Sequence, residues 1–378
     1  MLAAILLITV IFFLGYAVLI GYYYKGWKQS KEVIITSTHF SASISVIIPA
    51  RNEENNIKAC LNAVLSQNYP AHLFEVIVVD DHSDDKTAEI VRSFNTIRLI
   101  SLKDFTGNEK LNSYKKKAIE TAIAQAQGDL IVTTDADCIP SKNWLSAIAS
   151  FYEQKKSAFI AGPVCYFNSD KLNFIETFES LDFMSMQGIT AASVNQKFHS
   201  MCNGANLAYE KKAFIEVGGF KGIDNIASGD DMLLMHKIYT RYPDRVDYLK
   251  SKDAIVETQP MSTLSAFFNQ RIRWASKADK YDDKRIFWVL LFVYLFNCWF
   301  IILFIYSLFT IHYSLLLGSL ITKTVIELVL MIPVTKFFSR QKLLWWFPIA
   351  QPFHILYIII AGWLGKFGSY KWKDRKIK

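Results

Sequence analysis

The sequence predicts an α/β domain with a mostly parallel sheet, set between membrane segments at its two ends, and three observations carry that expectation. Apolar residues make up 52% of the 378 positions, and the excess gathers near the termini. The central stretch alternates short β-branched runs with segments of helical spacing, the pattern of a β-α-β-α sheet. Clusters of acidic residues close those runs, at the carboxyl ends where parallel α/β sheets bind ligands.

The first element is Met1–Tyr24, an apolar run without a charge and about the ~20 residues a helix needs to cross a bilayer. A signal peptide has a basic start, a shorter core and a small-residue cleavage site. This run lacks the first and continues through Tyr22, Tyr23 and Tyr24, so it reads as a retained anchor. Lys25, Lys28 and Lys31 follow directly, and the positive-inside rule then places what comes next in the cytosol, where nucleotide-activated donors are found.

Residues 25–42 read as a linker and 43–263 as the cytosolic domain. Within it, Ser45–Pro49, Glu75–Asp80, Ile97–Leu102 and Leu130–Thr134 are the expected parallel strands, and Asn55–Ser66, Thr87–Phe94 and Tyr114–Ala126 the helices between them. Beyond Cys138 a helix is expected at Trp144–Phe151, a strand at Ala158–Val164 and a helix at Leu172–Thr190. Leu264–Tyr281, within the 264–285 region, mixes aromatics with four cations. It reads as an interfacial helix, its apolar face in lipid and its cations among headgroups.

Three more apolar segments follow over 286–365: Ile286–Phe309, Ile311–Val334 and Leu343–Leu364. If all three cross, the basic tail 366–378 lies outside, against the positive-inside rule. The last segment contains Pro348, Gln351, Pro352 and His354, so a re-entrant path with a broken backbone is expected there.

The five cysteines are scattered without a C-x-x-C pair, which fits free thiols in a reducing compartment better than disulfides or zinc. The net charge of +8 sits largely beside membrane segments. No basic stripe interleaved with aromatics marks the central domain, which argues against nucleic acid as a partner.

The chemistry lies in three acidic sites. One aspartate at a strand end is ordinarily a cap or a turn former, but three separated sites change that reading. Asp80 and Asp81 can accept hydrogen bonds from a base or ribose. Asp135 and Asp137 are like charges at one strand end and repel unless a cation lies between them. A hard ion such as Mg²⁺ or Mn²⁺, which takes carboxylates together with substrate phosphates, fits that need and implies a diphosphate ligand. Asp230 and Asp231, in the run Ser228–Asp231, either cap the following helix or supply a general base. Gln270, Arg271, Arg273 and Trp274 can hold an anion and stack on a ring, or simply anchor an interfacial helix.

The ordered set SVIIPARNEENNI, VIVVDDHSDDKT, GDLIVTTDADC, GANLAY, SGDDMLL and QRIRW, over about Ser43–Trp274, resembles the family 2 inverting glycosyltransferases of GT-A fold. The resemblance is strongest to membrane-embedded members such as poly-N-acetylglucosamine, hyaluronan and cellulose synthases and ceramide glucosyltransferase. It implies that Pro49, Arg51 and Glu53 border the nucleotide and that Asp81, with Asp80, contacts the base. Asp135 would face the ribose or diphosphate and Asp137 would ligate the metal. Lys115 stands where relatives carry the lysine of a G-K-x-x-A pattern, with Tyr114 in place of the glycine. Asn203, Gly204 and Asn206 would line the acceptor side, and Asp231 matches the base, with Asp230 where glutamate is commoner. Gln270, Arg271, Arg273 and Trp274 would serve the leaving diphosphate and the acceptor.

The resemblance thus implies a nucleotide-sugar donor, UDP-linked by analogy, and a lipid or glycan acceptor at the inner membrane face. A processive polysaccharide synthase is the nearest alternative. A catalytically inactive binding protein on the same fold, or a nucleotidyltransferase, is the alternative of another class.

Overall fold

A computed structural model describes residues 2–35, 39–107, 111–167, 173–198, 201–226, 229–261, 263–276 and 283–368, with the backbone of 370–372 and 375–377. Ser228, the part of the expected interfacial helix beyond 276, and the side chains of the basic tail from 369 onward lie outside the described residues. The chain divides into two compact units: Ser30–Phe167 with Ser200–Gln259, and Met1–Gln29 with Asn168–His199 and Pro260–Lys378.

The first unit is the α/β domain. Its strands are β1 Ile44–Ala50, β2 Phe74–Asp80, β3 Ile97–Ser101, β4 Leu130–Thr133, β5 Ile139–Pro140, β6 Phe159–Ala161, β7 Val164–Tyr166, β8 Leu207–Glu210, β9 Val246–Tyr248 and β10 Val256–Thr258. Seven form one sheet in the order β3-β2-β1-β4-β8-β6-β9. Strands β3, β2, β1 and β4 run parallel, as the β-branched runs predict, and β8 is antiparallel to both of its neighbours. All four residues of β4 are buried, which is why this strand reads as a continuous apolar run rather than an alternating one.

The expected strand Ala158–Val164 is instead two. β6 joins the large sheet, while β7 joins a smaller one of order β5-β10-β7. The chain switches sheets at Gly162-Pro163: proline has no N–H for a ladder, and a Cβ on Gly162 would meet the Asn206 amide at 2.4 Å. Strands β8, β9 and β10 are three or four residues long, too short to show a period in sequence.

The second unit is helical. Leu2–Gln29, Lys284–Thr310, Tyr313–Phe337 and Gln341–Phe367 are each long and apolar enough to cross a membrane. Exposed Leu7, Ile11, Leu14 and Val18 recur at helical spacing on the first of these, a face suited to lipid. Polar Asn297, Lys323, Glu327, Thr335 and Gln351 point inward, as a membrane bundle requires. Phe174–Asn195 groups with this unit, its buried face formed by Phe178, Leu181, Phe183, Met184 and Val194. An Asn173–Glu176 capping box starts that helix.

Two expectations for the helical unit change. Phe347–Phe367 is one continuous helix, not a broken segment. Pro348 falls in the first turn, where an N–H has no partner to lose, and Pro352 removes a single bond. The helix Leu264–Ala275 does not leave its apolar face to lipid. Phe267 and Ile272 pack on Phe178, Ala350, Tyr357 and Ala361, so protein covers that face.

Candidate active site

In the α/β unit the acidic sites form at strand ends. Arg51, just beyond β1, donates from Nη1 to the carbonyls of Asp81 at 2.8 Å and His82 at 3.1 Å, tying the first two loops together. Pro49 precedes it in β1, half-buried. The Glu53 backbone N–H donates to Thr87 Oγ1 at 2.7 Å, and its carboxylate accepts from Asn56 at 2.9 Å. Asp81 is buried, with an oxygen 3.0 Å from His82 Nδ1. Asp80 ends β2 and receives a long bond from the Ser83 N–H at 3.4 Å.

His82 is a member that the sequence reading missed. Its φ of 55° is left-handed, and its ring meets Tyr114 edge-on at 5.7 Å. Its place immediately after a strand-terminal acidic pair was the available signal. In the same motif Asp85 serves the bland role: it accepts from the Thr87 and Glu54 backbone N–H groups and knits the loops.

After β4 the chain turns through Asp135, Ala136 and Asp137. Carboxylate oxygens of Asp135 and Asp137 lie with the Cys138 sulfur inside a 4.8 Å group. Burial, then the neighbouring carboxylates of Asp137 and Asp135, push the Cys138 thiol well above its ordinary pKa, so it is held as a neutral thiol. Among the three groups the two carboxylates are the oxygen donors, the type that suits Mg²⁺ or Mn²⁺. Cys60, also buried, donates its thiol to the Asp135 carbonyl at 3.6 Å.

Lys115 joins the acidic sites. Its Nζ lies 2.7 Å from Asp135 Oδ1 and 3.1 Å from Asp230 Oδ2. Burial alone would lower its pKa, but Asp135 and Asp230 outweigh burial and raise it, so the ammonium stays charged. Asp231 is the N-cap of Met232–Arg241. Its Oδ1 accepts from the Met232 N–H at 2.7 Å and its Oδ2 from the Gly204 N–H at 3.2 Å. Each carboxylate oxygen keeps a further lone pair while it accepts these bonds. A Cβ on Gly204 would lie 3.2 Å from Lys115 Nζ and 3.3 Å from Asp230 Oδ2, so glycine is the residue that admits this convergence.

Another residue not foreseen is Lys116. Buried, it donates to the carbonyls of Ile223 at 2.6 Å and Ile226 at 2.7 Å, holding the segment that leads to Asp230. Asn203 accepts from the Ala205 N–H at 2.9 Å. Asn206 is not brought to the cluster. Its amide is spent on Pro163 and Ala254, each at 2.8 Å, and on the Trp144 indole at 2.9 Å, a framework role in the core.

In the helical unit, Gln270, Arg273 and Trp274 are half-buried on Leu264–Ala275. Arg271 is buried and pairs with Asp182 at 2.8 Å.

Residues 45–218 match the family described as Glycosyl transferase family 2. The chain carries a family 2 glycosyltransferase domain. Its α/β unit has the GT-A fold, also seen in the solved mannosyltransferase PcManGT of Pyrobaculum calidifontis, in complex with GDP-Man and Mn²⁺. That structure aligns at a TM-score of 0.58 with 19% identity, covering 94% of this chain and 99% of that one. Glycosyltransferase AglE of Haloferax volcanii is 32% identical over 189 residues, 50% of this chain and 59% of that protein. A poly-beta-1,6-N-acetyl-D-glucosamine synthase of Staphylococcus epidermidis is 23% identical over 259 residues, 67% of this chain and 59% of that protein. The chain thus spans about three fifths of the length of these curated relatives. The family 2 match ends at residue 218, before Asp230 and Asp231.

Proposed function

We propose that this chain is a membrane-bound inverting glycosyltransferase, moving a sugar from a nucleoside-diphosphate donor to a lipid or glycan acceptor at the cytosolic face. The observation that carries the reading is Lys115, whose ammonium bridges Asp135 of the D-x-D run and Asp230 beside Asp231. A donor-side carboxylate and a base-side carboxylate thereby share one site in one folded unit. The cytosolic placement follows from Lys25, Lys28 and Lys31 directly after the first apolar stretch.

In this reading Arg51, Glu53, Asp80 and Asp81, with Pro49, hold the nucleoside, and His82 extends that wall. Mg²⁺ or Mn²⁺ held by Asp137 and Asp135 would supply charge neutralisation for the diphosphate. Asp231 takes the proton from the acceptor hydroxyl. The acceptor oxygen bonds to the anomeric carbon as the carbon–oxygen bond to the diphosphate breaks, and that electron pair leaves with the nucleoside diphosphate. Attack opposite the departing group inverts the configuration. Lys115 offsets charge beside Asp135 and Asp230, and Asn203 and Gly204 border the acceptor. Gln270, Arg273 and Trp274 serve the leaving group and the acceptor, as the family resemblance implies.

UDP-linked sugars are the first donors to test, and GDP-mannose the next, on the strength of the mannosyltransferase relative. The test is nucleoside diphosphate release from a donor panel with Mg²⁺ or Mn²⁺, with and without lipid extract. Release of pyrophosphate instead would mark a nucleotidyltransferase.

A further inference from the structure

Arg271 is the most heavily committed cation in the QRIRW motif. Its Nη2 lies 2.8 Å from Asp182 and 3.9 Å from Glu179, both buried on Phe174–Asn195. Its Nη1 donates to Gln270 Oε1 at 2.6 Å. Its guanidinium stacks over Trp274 at 4.4 Å and over Phe267 at 4.8 Å. Asp182 in turn accepts from the Tyr357 hydroxyl at 2.6 Å and lies 3.9 Å from His354, both on the helix Phe347–Phe367. One arginine therefore touches two other motif residues, and its counter-ion is fixed by the last apolar helix.

The consequences are geometric. Accepting from Arg271 locks the Gln270 amide with its oxygen inward, which leaves its NH₂ as the group offered outward. The planar guanidinium, gripped by carboxylates, sets the tilt of the Trp274 ring by stacking. Arginine suits this task because its fixed fork serves several partners at once, which a lysine cannot do. Phe183 adds a further contact, its ring stacked with that of Trp274 at 6.2 Å.

We infer that Arg271 is a positioning residue, acting through Gln270 and Trp274, and that Asp182 and Tyr357 hold it in place. Its role is therefore distinct from the diphosphate contact that the motif alone suggests. Through Tyr357, the last apolar helix holds the counter-ion of that arginine within the helical unit. The functional half of this inference rests on the transferase reading above; the positioning half stands on the helical unit alone.

The test uses the full-length protein in phospholipid nanodiscs, with Arg271→Lys and the milder Tyr357→Phe as variants. Hydroxyl-radical footprinting, read by mass spectrometry, should show Trp274 oxidised severalfold faster in both variants, with buried Trp144 unchanged as the folding control. Unchanged Trp274 oxidation would overturn the positioning role whether or not the protein transfers sugar. With the donor that wild type accepts, Arg271→Lys should lower kcat on the order of tenfold to a hundredfold, the usual cost of a misplaced group. The preference for binding UDP over uridine should stay as in wild type. A selective loss of that preference would show that Arg271 contacts the diphosphate and would overturn the inference. Asp137→Asn separates the two readings: an active Asp137→Asn sinks the transferase mechanism, while the Trp274 result still decides the positioning role.

Discussion

Lys115 reaches across the α/β unit to set its ammonium 3.1 Å from a carboxylate oxygen of Asp230, while the same nitrogen lies 2.7 Å from Asp135. Without that cation the two carboxylates would face each other as like charges. Lys115→Met should therefore reduce transfer on the order of a hundredfold, the scale of removing one preorganised electrostatic donor, while far-ultraviolet circular dichroism stays unchanged. Wild-type turnover in Lys115→Met would remove the bridge from the mechanism.

The direction of the Lys115 shift also fixes a pH expectation. Its folded pKa is raised above the ordinary lysine value of 10.5 by Asp135 and Asp230, against burial. A group raised on folding contributes its stabilisation in full below the unfolded value and loses it as pH rises through the folded value. Between pH 6 and about 10, pH titration of thermal unfolding should show no loss traceable to this residue, so Lys115→Met and wild type should have parallel profiles there.

Gly204 sits where a side chain would crowd both members of that ion pair. Gly204→Ala places a methyl group 3.2 Å from Lys115 Nζ and 3.3 Å from Asp230 Oδ2. The neighbours must give way by a few tenths of an ångström, and kcat should fall by roughly tenfold, with little change in melting temperature. Steady-state kinetics beside a melting curve separates this outcome from misfolding.

Asn206 should behave in the opposite way. Its substitution by alanine strands the Trp144 indole and the Ala254 carbonyl in the core, while the Pro163 carbonyl keeps the Val256 N–H at 3.1 Å. The cost should be about 3 kcal/mol, given roughly 1–3 kcal/mol for a buried group left without a partner. Denaturant unfolding of the Asn206→Ala variant should show that loss, with the acceptor KM of the remaining folded protein unaltered.

Within the helical unit, Lys323 lies 2.5 Å from Glu327 and 2.7 Å from Gln351, and Tyr16 donates to Glu327 at 2.5 Å. Removing one partner of a buried pair costs roughly 3–5 kcal/mol, whereas replacing both by apolar residues is often near neutral. Lys323→Met alone should lower thermal stability in detergent, and Lys323→Met with Glu327→Leu should restore much of it. Additive losses in the double variant would contradict the pairing.

Much of this was legible in the sequence because its signals are local. The β-branched runs gave β1 to β4, and the apolar stretches gave four long helices, since each is written in consecutive residues. The short strands β8 to β10 were invisible because three or four residues carry no period. The placement of Phe174–Asn195 was hidden as well, because what assigns it is packing against residues remote in sequence. The acidic motifs announced themselves by type and position. Lys116 and His82 did not: one works by reaching backbone carbonyls far along the chain, the other by a left-handed turn that no composition signal marks. Asn206 shows the converse error, in which a motif residue that looked functional is spent on the framework.

The central claim is that Asp231 is the base of a sugar transfer for which the Asp135–Asp137 site holds the donor. The most direct test follows nucleoside diphosphate release and the anomeric configuration of the product together by NMR. It uses purified protein in nanodiscs with Mn²⁺, a nucleotide-sugar panel and lipid extract, comparing wild type with Asp231→Asn. The prediction is that wild type releases nucleoside diphosphate and forms a product of inverted configuration, and that Asp231→Asn, still folded, does neither. A product of retained configuration, or undiminished turnover in Asp231→Asn, would contradict it.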